Sequence, residues 1–251
     1  MMEEIKSNLN IYRQLIEDFT VKTQLSSDQK SLLFGSLDAT IDINVLNRFE
    51  SESNIEIPKE YKQFLSEVGN GTGDTWENAG IGPGLGILKV SFEDNKCFIF
   101  EDTVIDLVQP FEFTGEYNLE KWEALADQFT EWFDRYTQKF RNELLQLREP
   151  CFEEFIKLNG ENPRNEYYEN FDLNGILPVA GIGCGEYYFL VVTGESRGEI
   201  WIDHRDNWGG ISPLLDDQGR RYRFDTWFND WLKEEITHLQ QKIGNADLSY
   251  L

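Results

Sequence analysis

Between residues 175 and 203 the chain alternates short apolar runs with glycine turns, a pattern that fits strands and leaves no room for a long helix. GILPVAGI (175–182) predicts a short strand, with Pro178 of the kind that edge strands tolerate. Gly183-Cys184-Gly185 turns the chain into EYYFLVV (186–192), a buried strand. Gly194 to Gly198 predict a hairpin turn into EIWID (199–203), an alternating strand. HRDNWGG (204–210) follows as a loop, ISPLL (211–215) as a short extended piece and DDQGRR as a turn. The period then changes. Phe224, Trp227, Phe228, Trp231, Leu232, Ile236, Leu239 and Ile243 form a helical stripe, with Asp225 as the expected N-cap.

The first hundred residues carry shorter signals. Ile5, Leu9, Tyr12, Leu15, Ile16 and Phe19 predict a helix over about 4–19, and the polar stretch TQLSSDQKS reads as a loop. Val45, Leu46 and Phe49 give a short helix ending near Ser53. Pro58 fits the first position of the next, where its missing N–H costs nothing, and Tyr61, Phe64, Leu65 and Val68 supply the buried face. Gly69 is expected to end it as a left-handed cap. Strand-like runs follow the glycine-rich stretch 69–86: Gly86–Val90, Cys97–Phe100 and Val104–Phe113.

Residues 119–148 differ again. Trp122, Leu125, Ala126, Phe129, Trp132, Phe133, Tyr136, Phe140, Leu144 and Leu147 recur at helical spacing, and such a helix would be about 45 Å long. Pro150 breaks or kinks it, and Phe152, Phe155, Ile156 and Leu158 predict a second helix before a polar loop, 160–172. There is no internal repeat.

Composition limits function. The 251 residues are 40% hydrophobic and 14% aromatic, enough for a packed core. No apolar run approaches the roughly 20 residues that span a bilayer, and the N-terminus has no basic-then-apolar leader. Cys97, Cys151 and Cys184 form no framework of pairs, which suits a reducing compartment and a cytoplasmic location. The formal charge of −23 disfavours nucleic acid and anionic membrane as partners. Two readings of that charge stay open: a solubility device, or a surface that steers a basic partner into contact.

The motifs of cofactor, metal and nucleophile chemistry are missing. A GxGxxG run started at Gly69, Gly80 or Gly181 meets Asp74, Leu85 or Glu186 where its last glycine belongs. His204 and His238 have no ligand partner at metal-site spacing, so no metal is expected, although Asp203, His204 and Asp206 are the nearest thing to a ligand group. No GxSxG is present, and nothing basic beside Cys184 would activate its thiol. No cofactor and no catalytic residue are expected. An enzyme built from scattered carboxylates is the third-ranked alternative.

Two blocks carry a resemblance. IPKEYKQFLSEVGNGTG (57–73) and LPVAGIGCGEYYFLVVTGESRGEIWIDHRDNWGGISPL (177–214), the latter followed by RFDTWFNDWLKEEI (223–236), resemble the SUKH superfamily. That superfamily includes a fungal cell-wall-assembly regulator and bacterial immunity proteins against polymorphic toxins. Pro58, Tyr61, Phe64, Leu65, Gly69, Asn70 and Gly71 match its first pattern. Gly185, Glu186, Tyr187, Phe189, Leu190, Gly198, Ile200 and Trp201 match its turn and strands, and Phe224, Trp227, Phe228, Trp231 and Leu232 its closing helix. The resemblance implies an α+β fold, a mixed, largely antiparallel sheet flanked by helices, in a single domain over 1–251. Its core would be about 40–118 and 171–243, with 119–170 a helical insertion that the family pattern lacks.

The resemblance also implies a non-enzymatic protein that binds and neutralises a cognate toxin such as a nuclease. Its carboxylates would then occupy the places of substrate phosphates on a basic toxin domain. A regulatory scaffold of the cell-wall-assembly type is the alternative. Trp76, Glu77, Glu186, Asp203, Asp206 and Trp208, aromatics and acids near predicted turns, are the candidate partner-binding residues. For Trp76 and Trp208 the competing reading is a loop anchored on the core.

Overall fold

The computed structural model describes residues 1–71, 80–91, 98–100, 103–113, 173–205 and 210–245, with eight further positions between 124 and 138. Helix α1 (Met2–Thr23) buries Ile5, Leu9, Tyr12 and Ile16, whose spacing of three and four places them on one face. Helix α5 (Phe224–Asn245) answers with Phe224, Phe228, Leu232 and Leu239, and the two helices pack along each other. Within this seam Asn229 is 1% exposed, and its Oδ1 accepts from Asn8 Nδ2 at 3.0 Å. Any sliding of one helix along the other would leave a buried amide unpaired, so the pair holds the register.

Helix α4 (Lys59–Glu67) wedges against α5 through Tyr61, Phe64 and Leu65, all fully buried. Phe64 meets Phe224 at 5.0 Å and Phe228 at 4.9 Å, both edge to face, and Tyr61 meets Phe224 at 4.7 Å. Each such ring pair adds about 0.5–1.5 kcal/mol beyond its buried area. Helix α3 (Ile43–Ser53) is capped by Asp42, which accepts from Asn44 N, and it buries Leu46 and Phe49.

Several helix ends differ from the sequence expectation. The stretch read as a loop contains α2 (Ser27–Phe34), opened by a capping box in which Ser26 and Gln29 exchange hydrogen bonds. None of its side chains is fully buried, so no apolar stripe marked it. Pro58 is the N-cap of α4, one place before the position expected. Gly69 has no positive φ. It is needed because a Cβ there would stand 2.9 Å from the Asp38 carbonyl oxygen, where residues 38 and 70 pair. At the start of α5 the reciprocal cap is Thr226, whose Oγ1 accepts from Arg223 N; Asp225 lies inside the first turn.

The sheet is a four-stranded antiparallel meander: β3 (Ile176–Gly183), β4 (Glu186–Val191), β5 (Ile200–Asp203) and β6 (Ile211–Pro213), neighbours in space as in sequence. A separate pair, β1 (Phe98–Phe100) and β2 (Thr103–Ile105), overlaps two of the runs read as strands; β2 starts one residue before Val104–Phe113, and that run is not strand beyond Ile105. Register pairs Tyr187 with Asp203, Tyr188 with Ile202, Phe189 with Trp201 and Leu190 with Ile200. Period two then puts Tyr187, Phe189, Trp201 and Asp203 on one face and Tyr188, Leu190, Ile200 and Ile202 on the other. Phe111 covers the first face, 5.0 Å from Trp201 and 5.5 Å from Phe189. The second face meets α5, where Trp227 lies 5.1 Å from Tyr188. Both faces are therefore covered, and the fold is α+β, a sheet flanked by helices.

The outer edge of β3 is not bare. Leu85 N donates to Gly181 O and Leu88 N to Val179 O, both at 2.8 Å. Between 124 and 138 the described positions are helical and exposed, and Arg135 Nε donates to Glu131 O. The apolar stripe expected there, the second helix at 152–158 and the loop 160–172 lie outside the described residues.

Two outcomes follow from this core. Phe228→Ala removes a ring that touches Phe64, Phe224 and Trp231, and urea unfolding should show a loss of about 3–5 kcal/mol. Asp225 has its acidity weakened first by burial and then by the charge of Glu60. The folded chain thus holds that proton more tightly than the unfolded chain. Its stabilising contribution is present below pH 3.8, the ordinary value, and is lost as pH rises through the raised one. Asp225→Asn should raise Tm at neutral pH, with the gain vanishing as the melts are taken to acid.

Candidate functional site

Two of the candidate residues, Glu186 and Asp203, lie at the same end of the sheet. The turn Cys184-Gly185 between β3 and β4 has both φ values positive, 52° and 80°, the pattern of a two-residue hairpin turn. Glu186 is the first residue of β4 and Asp203 the last of β5; because Tyr187 is the direct partner of Asp203, the two acids sit on adjacent strands and opposite faces.

Each acid is buried and matched. Asp203 is 3% exposed and accepts from Arg205 Nε at 2.9 Å, from Arg205 Nη2 at 2.7 Å and from the Arg205 backbone N at 3.0 Å. The bidentate fork fixes both side chains. Tyr187 lies against this pair, and burial, then the negative charge of Asp203, hold its phenol neutral far above the ordinary range. On the other face Glu186, 8% exposed, stands 2.7 Å from His204 through Oε1 and Nδ1. A proton on Nδ1 makes that contact a hydrogen bond, with the carboxylate accepting.

The backbone completes the arrangement. His204 N donates to Gly210 O at 2.8 Å, closing the base of the segment 204–210 directly after β5. One residue from each acid pair, His204 and Arg205, belongs to this segment. Glu186 and Asp203 therefore act as anchors for it: their charges are spent on local partners and do not project outward. Asp206 and Trp208 of the same segment lie outside the described residues, as do Trp76 and Glu77.

His204 and Arg205 were missed as the partners of these acids. Arg205 stands two places after Asp203, just past the strand end, and that spacing was the available signal. The pairing of Glu186 with His204 depends on the β4–β5 register, which residue types alone do not reveal. Among the described residues no group of three or more His, Cys, Asp or Glu is disposed to hold a metal ion. Cys184 is exposed at its turn.

The Asp203–Arg205 pair can be tested by a double-mutant cycle. Arg205→Leu leaves a buried carboxylate without its cation and should cost about 3–5 kcal/mol in urea unfolding. Asp203→Leu with Arg205→Leu should recover most of that loss, because the apolar replacement buries no orphan charge.

Against protein-family models, curated proteins and solved structures alike, the chain has no match.

Proposed function

We propose that this chain is a non-enzymatic protein-binding module of the immunity type, one that binds and neutralises a cognate toxin such as a nuclease. The observation that carries the reading is the state of its charges. The chain has 46 Asp and Glu against 23 Lys and Arg. Of the cations described, Lys6, Lys62, Lys89, Arg197, Arg205, Arg220, Arg221 and Lys233 each stand within ion-pair distance of a carboxylate of the chain itself. Internal pairing uses up much of the positive charge and leaves carboxylates to set the outer field. Asp28, Glu195, Asp217 and Glu234, all exposed and outside these pairs, are examples at the surface.

Such a field accelerates encounter with a basic surface and repels nucleic acid. The resemblance to the SUKH pattern over 57–73 and 177–236 adds the expectation of a toxin as partner and the cytoplasm as the place of action. No helix among the described residues is long and apolar enough to cross a membrane.

The test pairs the chain with a toxin-like C-terminal domain encoded beside its gene. Co-expression should rescue cells from that domain, and the two should co-purify. Glu77→Ala and Asp206→Ala should slow association several-fold and flatten its dependence on salt, read by surface plasmon resonance. Trp76→Ala and Trp208→Ala should speed dissociation. Kinetics unchanged in all four variants would sink the assignment of these residues. Failure of both rescue and co-purification would favour the scaffold reading.

A further inference from the structure

Away from the sheet end, α1, α2 and the segment after α2 enclose a cleft of about 180 Å³. Ile16, Phe34, Leu37 and Ile81 give it an apolar lining, and its charged residues are Arg13, Glu17 and Lys30. Its walls are fixed in two ways. Phe34 of α2 meets Phe19 of α1 edge to face at 5.9 Å, and Lys30 of α2 pairs with Glu17 of α1.

The charges at the cleft do not cancel. Lys30 and Glu17 neutralise each other. Arg13 is exposed and makes no ion pair or hydrogen bond among the described residues, so one positive charge is left over. In a chain of formal charge −23, an uncompensated guanidinium beside an apolar lining is out of keeping with its surroundings. The chemistry that complements both halves is one negative charge on a short hydrocarbon body. We propose that this cleft is a binding site for a free, small aliphatic monocarboxylate, its chain against Ile16, Phe34, Leu37 and Ile81 and its carboxylate on Arg13. The site is independent of the toxin-binding reading.

Hexanoate is the probe, followed by methyl chemical shifts of the intact chain, with hexylammonium and hexanol as matched controls. Hexanoate should produce saturable shifts at the methyls of Ile16, Leu37 and Ile81. Hexanol should bind at least five-fold more weakly, and hexylammonium more weakly still. Arg13→Gln should weaken hexanoate at least five-fold, while Arg13→Lys keeps most of the affinity. Arg13 is exposed, so both variants should melt as the parent does. The proposal is overturned if no saturable shift appears at these methyls, if hexylammonium binds as well as hexanoate, or if Arg13→Gln binds it unchanged.

Discussion

The rest of the molecule depends on the ring contacts between α4 and α5. Phe64 reaches Phe224 and Phe228, Tyr61 reaches Phe224, and the two α5 rings lie nearly parallel at 6.1 Å. These contacts fix which face of α5 looks inward. The next ring along, Trp227, then lands on Tyr188 of the sheet, and Trp231 on Tyr12 of α1. One helix thus touches the sheet, the N-terminal helix and α4, so the layers are set from a single line of aromatic side chains. Tyr61 sits in this cluster with its hydroxyl unbonded among the described residues, a polar atom accepted for the sake of the ring's position.

The C-terminal third was legible because its glycines mark where each run must stop. Three strands of the meander lie within runs expected to be extended, β3 runs one residue past its run to Gly183, and the aromatic stripe located α5. Where reading failed, the reason was physical. Eight residues of α2 carry no buried face, so periodicity was silent, and only the Ser26–Gln29 capping box announced the helix. Gly69 looked like a left-handed cap, but what it avoids is a collision with residues 37 and 38, which no local pattern records.

The site was legible in part. Glu186 and Asp203 stood out as acids flanking turns, and the sheet brings them to one end. Their burial was not legible, because a carboxylate beside a turn looks exposed until its cation is placed. Arg205 turns Asp203 into an interior group, and the strand register delivers His204 to Glu186. Charge counted along the sequence therefore overstates what these two residues show to a partner. The outward field comes from acids that carry no such match.

The packing of α1 on α5 has a consequence for synthesis. Ile5, Leu9, Tyr12 and Ile16 leave the ribosome well before the helix that buries them, which begins at Phe224. At about 5–20 residues per second the nascent chain carries that apolar face uncovered for roughly 10–40 s. The sheet has no such wait, since its strands lie next to each other in order and can pair as they emerge. Chaperone demand should therefore concentrate on the first helix, while Glu3, Glu4, Asn10, Gln14 and Asp18 keep its opposite side wet.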